Sequence, residues 1–546
     1  MSQILILLLF YFFILYSIVG YGKIYTLIDP NYQASSFDGL IGIAVLILIS
    51  YSSNLIFSHN YLHNLVIISF GFLFFLFDLK KNFNLRISEY KVLTLIFLII
   101  FIGILMYKNH DDFYYYHFPY TVILTNFEKI FGLGNLNHGF RTPSSIFYLN
   151  SLFYLPGIKY FLMNSGAIFL LGFSNFIIYK NIKEQIKNKE FNHILFLSIL
   201  SIIYINSSFA RIAEHGTDRS ALILIFLMSI YYLKSLNFSK IHFTQKYIYN
   251  YYTKLTILFA IIVSLKVFYL IYSIIFIIWF FQIRKYLNYH SLFALLFKNY
   301  ISYIFLIIIL FTIFTIFSNT GCLLYPASIT CFENFDWSIP LQQVDKMHLW
   351  YEQWSKAGAT PNFRVENPEI YVSKLNWLNN WIQMYFFTKV SDQLLIILLI
   401  SLVVFLMFRS KLKKNNIKFN YKIFYLSLIF LFIEWFYNHP ALRYGGYTLL
   451  ALIFFIPLSI HLGNYSYNYN YKKFEKKINI ILILIIVIFV SKNIIRINKE
   501  YDKYGYNPLD NPFFNLNKDG FILNDEVEKK YKLWKNNNKS FLIINK

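Results

Sequence analysis

Charged residues are scarce in this 546-residue chain. Asp, Glu, Lys and Arg make up 14% of it, whereas hydrophobic residues make up 57% and aromatic residues 21%. A soluble domain carries roughly 25% charged residues, so this chain has too little polar surface to coat a soluble fold. The scarcity excludes an ordinary cytoplasmic enzyme and a disordered chain, and it indicates a protein whose main solvent is lipid.

Cysteine is nearly absent, since only Cys322 and Cys331 occur, both in one long polar loop. Two residues exclude a disulfide scaffold, and no CxxC or Cys/His metal spacing is present. In an oxidising compartment the pair can form a disulfide, but two loop cysteines can equally stay free. The chain also lacks a Walker motif, a nucleotide-binding glycine fingerprint, and haem or zinc signatures, so nothing in it indicates ATP hydrolysis or redox chemistry.

What the chain has instead is many apolar runs, each long enough to cross a membrane in about 20 residues. They predict an all-α, polytopic transmembrane fold with about 13–14 passes. Candidate spans lie near 3–20, 39–57, 64–79, 91–107, 159–179, 192–209, 218–233, 300–317, 389–408, 420–437, 447–463 and 478–495. The stretch 254–282 is too long for one span and is interrupted by Lys266, which predicts two short helices meeting there or one long tilted helix.

The net charge of +23 does not indicate nucleic-acid binding, because the positive residues sit in short loops between apolar runs. These residues are Lys80, Lys81, Arg86, Lys180, Lys183, Lys187, Lys189, Lys234, Lys240, Lys246, Arg284, Lys285, Lys298, Arg409, Lys411, Lys413, Lys414, Lys418, Lys472, Lys473, Lys476 and Lys477. If 254–282 crosses the membrane twice, all of them fall on one side, which the positive-inside rule assigns to the cytoplasm.

The organisation that follows has three sets of helices separated by two large extracytoplasmic loops. In order, it comprises N-terminal helices 1–107, a loop 108–158, central helices 159–317, a loop 318–388, C-terminal helices 389–496 and a polar tail 497–546. The apolar-periodic stretch 119–131 predicts a short interfacial helix lying flat on the membrane. We expect the tail to fold against the outer loops rather than to form a separate domain.

The first large loop begins with two adjacent carboxylates, Asp111 and Asp112, followed by an aromatic run and His117. Carboxylates at a membrane interface can act as general bases or hold a divalent cation. The simpler interpretation is a pair of solvated loop acids. Arg141, later in the same loop, either binds an anion through a two-pronged contact or pairs with an acid.

Other candidate residues lie near the same side of the membrane. Asp218 caps the start of a helix or is a second acid facing a substrate. Lys266 lies in apolar sequence, where a charge is costly, and it either meets a lipid phosphate or snorkels to the surface. His439 and Arg443 flank a short outer turn before two glycines, where a guanidinium suits phosphate recognition, although Arg443 can equally pair with Glu434.

Tryptophans are concentrated in the second large loop, where they either stack on sugars or anchor helices at the membrane interface. They are Trp337, preceded by Asp336, and Trp350, Trp354, Trp377 and Trp381. On composition alone the two interpretations are equally supported.

At this point the sequence resembles a known superfamily. The acidic tip after a span, the Tyr115-Tyr116-His117-Phe118-Pro119 run and the helix after it are similar to the first extracytoplasmic loop of GT-C type glycosyltransferases. The Gly132-Leu133-Gly134-Asn135-Leu136 turn and the Tyr325-Pro326 to Asp336-Trp337 stretch resemble, more closely, an uncharacterised bacterial multipass family associated with surface-polysaccharide genes. In familiar GT-C enzymes this loop follows the first span, whereas here several spans precede it.

The resemblance implies transfer of a sugar from a polyprenyl-phosphate donor to a glycan or lipid acceptor, on the outer side of a bacterial inner membrane. It implies Asp111 or Asp112 as the base or metal contact; a divalent metal has no other support. The expected substrate-binding residues are His117, Arg141, Asp218, Lys266, His439 and Arg443. One alternative is a polymerase or ligase for undecaprenyl-linked glycans, which would depend more on Arg141 and Arg443. Another is a transporter or flippase, although no paired halves are evident.

Overall fold

The computed structural model describes residues 2–29, 32, 36–236, 245–285, 287–359, 365–409, 421–465, 471–516, 518–535 and 543–544. Within these residues every regular element is helical, and extended residues pair only in isolated bridges. The α-helices are α1 (Gln3–Ile28), α2 (Asp38–Asn54), α3 (Tyr61–Ile100), α4 (Phe118–Asn126), α5 (Ser145–Ser151), α6 (Gly166–Lys187), α7 (His193–Ser208), α8 (Ile212–Leu236), α9 (Gln245–Leu265), α10 (Ser273–Arg284), α11 (Tyr289–Phe297), α12 (Tyr300–Thr320), α13 (Leu341–Lys356), α14 (Pro368–Val372), α15 (Leu378–Trp381), α16 (Ser391–Phe408), α17 (Lys422–Asn438), α18 (Gly446–Asn464), α19 (Tyr471–Tyr504) and α20 (Asp519–Lys535).

Nine helical segments in this described part of the chain are long and apolar enough to cross a membrane. They are Gln3–Ile28, Tyr61–Phe83, Ile212–Leu236, Lys246–Leu265, Val267–Arg284, Tyr300–Thr320, Leu378–Phe408, Gly446–Asn464 and Tyr471–Tyr504. The prediction of an all-α, polytopic membrane protein is therefore confirmed. The other predicted passes fall on α2, α7 and α17, which have 17, 16 and 17 residues, on α6, whose last turns are charged, and on the second half of α3.

Two sharp reversals bring helices back on themselves. Inside α3 the backbone leaves the helical region at Asn82, and the Tyr90 hydroxyl then donates to Asp78 at 3.0 Å, which a straight helix would hold far apart. The second reversal is at Lys266, whose extended backbone separates α9 from a 3₁₀ segment that leads into α10. Across this break Phe259 stacks on Phe276, with ring centroids 5.8 Å apart. Of the two alternatives left open for 254–282, the structure has two helices meeting at Lys266.

Basic segments meet at one end of the bundle. Lys183 lies 3.6 Å from Glu475, and Lys234 lies 3.0 Å from Glu184, so α6, α8 and α19 share this end. Lys180 pairs there with Glu89. The assignment of this end to the cytoplasm stays a prediction. Five of the basic loop residues lie outside the described residues: Lys240, Lys411, Lys413, Lys414 and Lys418.

The opposite end carries the large loops and the described part of the tail. The backbone N–H of Tyr107 donates to Glu500 at 2.9 Å, and Phe513 stacks on Phe161 at 4.0 Å. The N–H of Ile544 donates to the Phe131 carbonyl at 3.0 Å. These contacts place the tail against the first loop, as expected. We call this the loop end of the molecule.

At the loop end, one expectation from the sequence was wrong and one open alternative is decided. The stretch expected to lie flat on the membrane does form helix α4, but its residues from Phe118 to Thr125 are all buried, packed by α5 and α20. It therefore presents no apolar face to lipid, and the interfacial assignment was wrong. Cys322 and Cys331 are joined in a disulfide, which settles the alternative left open above.

Candidate functional site

Four charged side chains from remote parts of the chain converge at the loop end. Arg443 lies between two acids, with its Nη1 3.6 Å from Asp112 Oδ2 and its Nε 3.8 Å from Asp218 Oδ2. The Nζ of Lys266 lies 3.4 Å from Asp218 Oδ1. We call Asp112, Asp218, Lys266 and Arg443 the charge cluster. All four were predicted as site residues, and the structure brings them together.

Each member of the charge cluster sits where a helix is irregular. Asp112 directly precedes a π-helical segment, Phe113–His117. Asp218 follows a kink of α8 at Gly216, where φ is +23°, and Lys266 is the extended residue between α9 and the next helical turn. Arg443 lies on a 3₁₀ turn that ends at Gly445, where φ is +131°. Such irregularities redirect side chains out of the helical register and are frequent at functional sites.

Hydrogen-bonding capacity in the charge cluster is largely unused. All of its ion pairs lie at 3.4–3.8 Å, and none is a hydrogen bond between the charged groups. Among the described residues, Asp218 Oδ1 and Arg443 Nε have no hydrogen-bond partner. Arg443 donates only a long 3.5 Å hydrogen bond, from Nη2 to the Tyr444 hydroxyl. Because buried polar groups are normally satisfied, this arrangement is typical of groups that face a polar ligand.

The four side chains of the charge cluster differ in their exposure to solvent. The side chains of Asp112 and Arg443 are each 36% exposed, whereas those of Lys266 and Asp218 are 17% and 11% exposed. Asp112 and Arg443 therefore form the accessible rim, and Asp218 and Lys266 form the floor. Burial opposes the charge of Arg443, but its pKa is raised overall because Tyr444, Asp218 and Asp112 favour the cation.

Aromatic rings enclose the cations on one side. The Arg443 guanidinium lies over the ring of Trp354 at 4.5 Å and that of Tyr444 at 5.2 Å. The ammonium of Lys266 lies 5.9 Å from the Tyr444 ring. Cation–π contacts of this kind hold a cation without using its hydrogen-bond donors. Trp354 thus contacts the site, whereas Trp377 and Trp381, also predicted candidates, are buried in packing.

Two histidines that were not predicted lie near Asp112, of which His110 contacts it and His215 packs on His110. The backbone N–H of Asp112 donates to His110 Nδ1 at 3.1 Å, and this nitrogen is 3.6 Å from the Asp112 carboxylate. The rings of His110 and His215 lie 4.5 Å apart. Each histidine adjoins an acid in the sequence, at Asp111 and at Glu214, and that adjacency was the available signal.

The adjacent acids of the first loop, Asp111 and Asp112, have different surroundings. Asp112 joins the charge cluster, but the Asp111 side chain is 89% exposed and, within the part of the chain that the structure describes, pairs only with Lys108, at 3.5 Å. Adjacent residues of a helical turn point in different directions, so only one of the two can face the cluster. The two acids were predicted as equal candidates, and the structure brings Asp112, not Asp111, into the charge cluster.

Arg141 joins the two large loops through hydrogen bonds. Its guanidinium donates to the Gly134 carbonyl at 3.0 Å, to the Tyr325 hydroxyl at 3.3 Å and to Gln343 at 3.3 Å. Among the described residues it forms no ion pair with an acid, and its hydrogen bonds reach none of the charge cluster. Its predicted role in anion binding is therefore corrected to linking the two large loops.

His117 and His439 lie beside the site but are buried. The His117 ring packs 5.0 Å from that of Phe147, and burial lowers its pKa to about 3. The His439 ring lies 5.4 Å from that of Phe268, and burial lowers its pKa to about 4. Both imidazoles are therefore neutral near pH 7. Among the described residues neither imidazole hydrogen-bonds a member of the charge cluster, but Asp112, Lys266 and Arg443 act on His117 electrostatically.

The described residues contain no group of three or more His, Cys, Asp or Glu side chains that could hold a metal ion. Asp112 and Asp218, the two acids of the charge cluster, are separated by the guanidinium of Arg443. A small cavity adjoins His117, Asn150, Asn164 and Gly216, but none of the charge cluster lines it.

The fold and site define a polytopic, all-α membrane protein with a charged centre at its loop end. The chain belongs to the family described as a domain of unknown function, DUF8201, whose model matches residues 1–450. All four members of the charge cluster lie within the matched residues, and Arg443 lies near the end of the match. No curated protein and no solved structure matches the chain.

Proposed function

We propose that this chain is a membrane glycosyltransferase of the GT-C kind. It moves a sugar from a polyprenyl-phosphate-linked donor to a glycan or lipid acceptor, in surface-polysaccharide synthesis on the outer side of a bacterial inner membrane. The observation that supports this is the charge cluster, in which an accessible carboxylate and two cations with unused donors meet at one membrane-proximal end.

The cations suit the phosphate of a lipid-borne donor. A guanidinium binds phosphate oxygens through two parallel N–H bonds, and an ammonium adds a point charge. Arg443 is held over Trp354 with its Nε unbonded, and Lys266 lies at the helix break between α9 and α10. On leaving, the phosphate gains negative charge, which these two residues stabilise.

Asp112 suits the role of general base. Its carboxylate takes the proton of an acceptor hydroxyl while that oxygen attacks the anomeric carbon of the donor sugar. The bond from the anomeric carbon to the phosphate oxygen breaks, and the electron pair leaves with the phosphate. Arg443 lies 3.6 Å from this carboxylate, so the phosphate that it binds lies beside the base.

Two alternatives are less well supported. A polymerase or ligase dependent on outer arginines would use Arg141 with Arg443, but all three nitrogens of the Arg141 guanidinium already donate to protein groups, Gly134, Tyr325 and Gln343. A transporter or flippase needs a polar pathway near the middle of the membrane. Lys266, the charge that suggested such a pathway, pairs with Asp218 at the loop end instead.

The matched pair Asp112→Asn and Asp111→Asn tests the proposal, because the two changes are chemically identical and adjacent. In source-organism cells carrying either variant in place of the native chain, mass spectrometry compares completed surface glycan with polyprenyl-linked precursors. We expect Asp112→Asn to slow transfer by about 10²–10⁴-fold, the usual contribution of a general base. We expect Asp111→Asn to stay within about twofold, since a solvated loop acid contributes little.

Undiminished transfer by Asp112→Asn, with the protein present at normal level in the membrane, would remove the base assignment. An equal loss in both variants would point to a shared effect on loop folding, and thermal unfolding of the purified variants would then identify it.

A further inference from the structure

A row of aromatic rings runs from the surface of the loop end to the charge cluster. Ring centroids are 5.2 Å apart between Tyr115 and His138, 6.3 Å between His138 and Trp350, and 6.4 Å between Trp350 and Trp354. Trp354 then lies under the guanidinium of Arg443 at 4.5 Å. We call Tyr115, His138, Trp350 and Trp354 the aromatic row.

The aromatic row is fixed by hydrogen bonds between loops. The Tyr115 hydroxyl and His138 Nδ1 are 2.7 Å apart, and Asn137 Nδ2 donates to the Tyr115 carbonyl at 3.0 Å. Trp350 and Trp354, four residues apart, share one face of α13. Arg141 ties the first loop to Gln343 on that same helix. The row is therefore preorganised, which lowers the cost of binding an extended ligand.

The surroundings of the row distinguish it from a membrane-interface belt. In such a belt, Trp and Tyr rings turn toward lipid headgroups. Here Trp350 and Trp354 contact His138, each other, Tyr444 and Arg443. Helix α13, which carries both tryptophans, is polar over most of its length and lies in the loop between the spans α12 and α16. The rings face a polar site.

We propose that the aromatic row binds the acceptor and that this acceptor is a saccharide of several sugar units, an inference that rests on the proposed function. Flat aromatic faces pack against the C–H faces of sugars, and interleaved groups such as the His138 imidazole and the Tyr115 hydroxyl bond sugar hydroxyls. Because the row ends at Trp354 and Arg443, the last sugar of a chain lying on it reaches Asp112, 3.6 Å from Arg443. A lipid acceptor with one sugar would leave most of the row unused.

The test measures binding against saccharide length with the purified full chain in detergent. The probes are saccharides of one to six sugars, released by mild acid from the polyprenyl-linked pool of the source organism, and isothermal titration calorimetry gives Kd. For the native chain we expect Kd to fall about tenfold from one sugar to four as further rings are engaged. Trp350→Ala and His138→Ala should remove this dependence on length.

The control is Phe332→Ala, which removes a ring of the same large loop that is 47% exposed and is not part of the row. We expect it to keep the native dependence on length. Length dependence unchanged in Trp350→Ala would overturn the proposal and leave the tryptophans as interface anchors only. Equal affinity of the native chain for one and four sugars would also overturn it.

Transfer measured on the same variants separates this inference from the proposed function. If Asp112→Asn loses transfer while Trp350→Ala transfers to every acceptor length as the native chain does, the aromatic row is not the acceptor site and the proposed function stands. If Asp112→Asn transfers normally while Trp350→Ala loses saccharide binding, the assignment of Asp112 as the base fails and the aromatic row stands as a saccharide-binding site.

Discussion

Two arginines at the loop end stand in opposite situations. Arg496 on α19 is 5% exposed and donates to the carbonyls of Ile102 and Leu105 at 3.3 and 2.7 Å, and to Asn493 at 3.1 Å. It also lies 3.4 Å from Glu500. Arg443, by contrast, is 36% exposed and makes a single long hydrogen bond. Both are cations beside acids, and the Nε of each has no hydrogen-bond partner among the described residues, but the Nη2 of Arg496 donates to three protein groups whereas that of Arg443 makes one long bond.

The contrast separates a charge that stabilises the fold, Arg496, from a charge that the fold positions with most of its donors unused, Arg443. The carbonyl partners of Arg496 lie in the segment just before Asp112, so this arginine anchors the first loop to α19. Helix α8 contributes to both clusters, with Glu214 3.9 Å from Arg496 and Asp218 3.8 Å from Arg443. A structural cluster and a candidate reactive cluster thus lie about one turn apart on the same helix.

Of the substitutions that test this comparison, Arg496→Ala should have the largest effect. Removing one partner of a buried ion pair typically costs about 3–5 kcal/mol, because the remaining charge is left uncompensated. We expect a large drop in the thermal unfolding midpoint of the detergent-purified protein and a low level in the membrane. Lys108→Ala, on an exposed side chain, is the control. A normal midpoint for Arg496→Ala would remove its structural role.

Arg443→Ala should have the reverse signature, with weaker ligand binding and little change in unfolding. Hydrogen bonds to charged groups contribute about 1.5–3 kcal/mol, so binding of undecaprenyl phosphate should weaken by roughly 10- to 100-fold. Native mass spectrometry measures this, and the uncharged alcohol undecaprenol is the matched ligand control. If Arg443→Ala lowers the unfolding midpoint as much as Arg496→Ala does, the two arginines have the same role and the distinction fails.

The smallest expected effect is the loss of stability on acidification. It tests the region around Arg443, where His117 lies. Burial lowers the pKa of His117 to about 3, so below its ordinary value of 6.5 the unfolded chain binds a proton that the folded chain does not. Stability therefore falls as the pH drops from 6.5 toward 3. Between pH 7 and 5.5 the loss is about 1 kcal/mol per such histidine.

His117→Phe removes this contribution while keeping a ring in place. We expect the decrease in the unfolding midpoint between pH 7 and 5.5 to be smaller for the variant than for the native protein. An unchanged decrease would show that His117 is already protonated in the folded protein or exposed to solvent.

Hydropathy predicted most of the fold because membrane crossing depends on local composition. The helices and the break at Lys266 followed from it, since a charge within an apolar run is itself a local signal. The burial of α4 did not, because its cover comes from α20, about 400 residues later in the sequence, and an apolar helix covered by protein looks like one covered by lipid.

The site was predicted in its residues but not in its geometry. Asp112, Asp218, Lys266 and Arg443 were each recognisable as charges near spans, but their convergence depends on how the spans pack. The difference between Asp111 and Asp112 depends on the direction of one helical turn, which composition does not reveal. Arg496 was missed altogether, because a basic residue near the end of a span also fits the ordinary pattern of charged flanks.

The bonds from Arg496 to the Ile102 and Leu105 carbonyls join segments 394 and 391 residues apart. During synthesis the ribosome releases the first loop long before α19 exists, so the nascent protein must shelter an unanchored loop through most of its own insertion. The segment before Asp112 therefore cannot reach its final anchored position until α19 has been made.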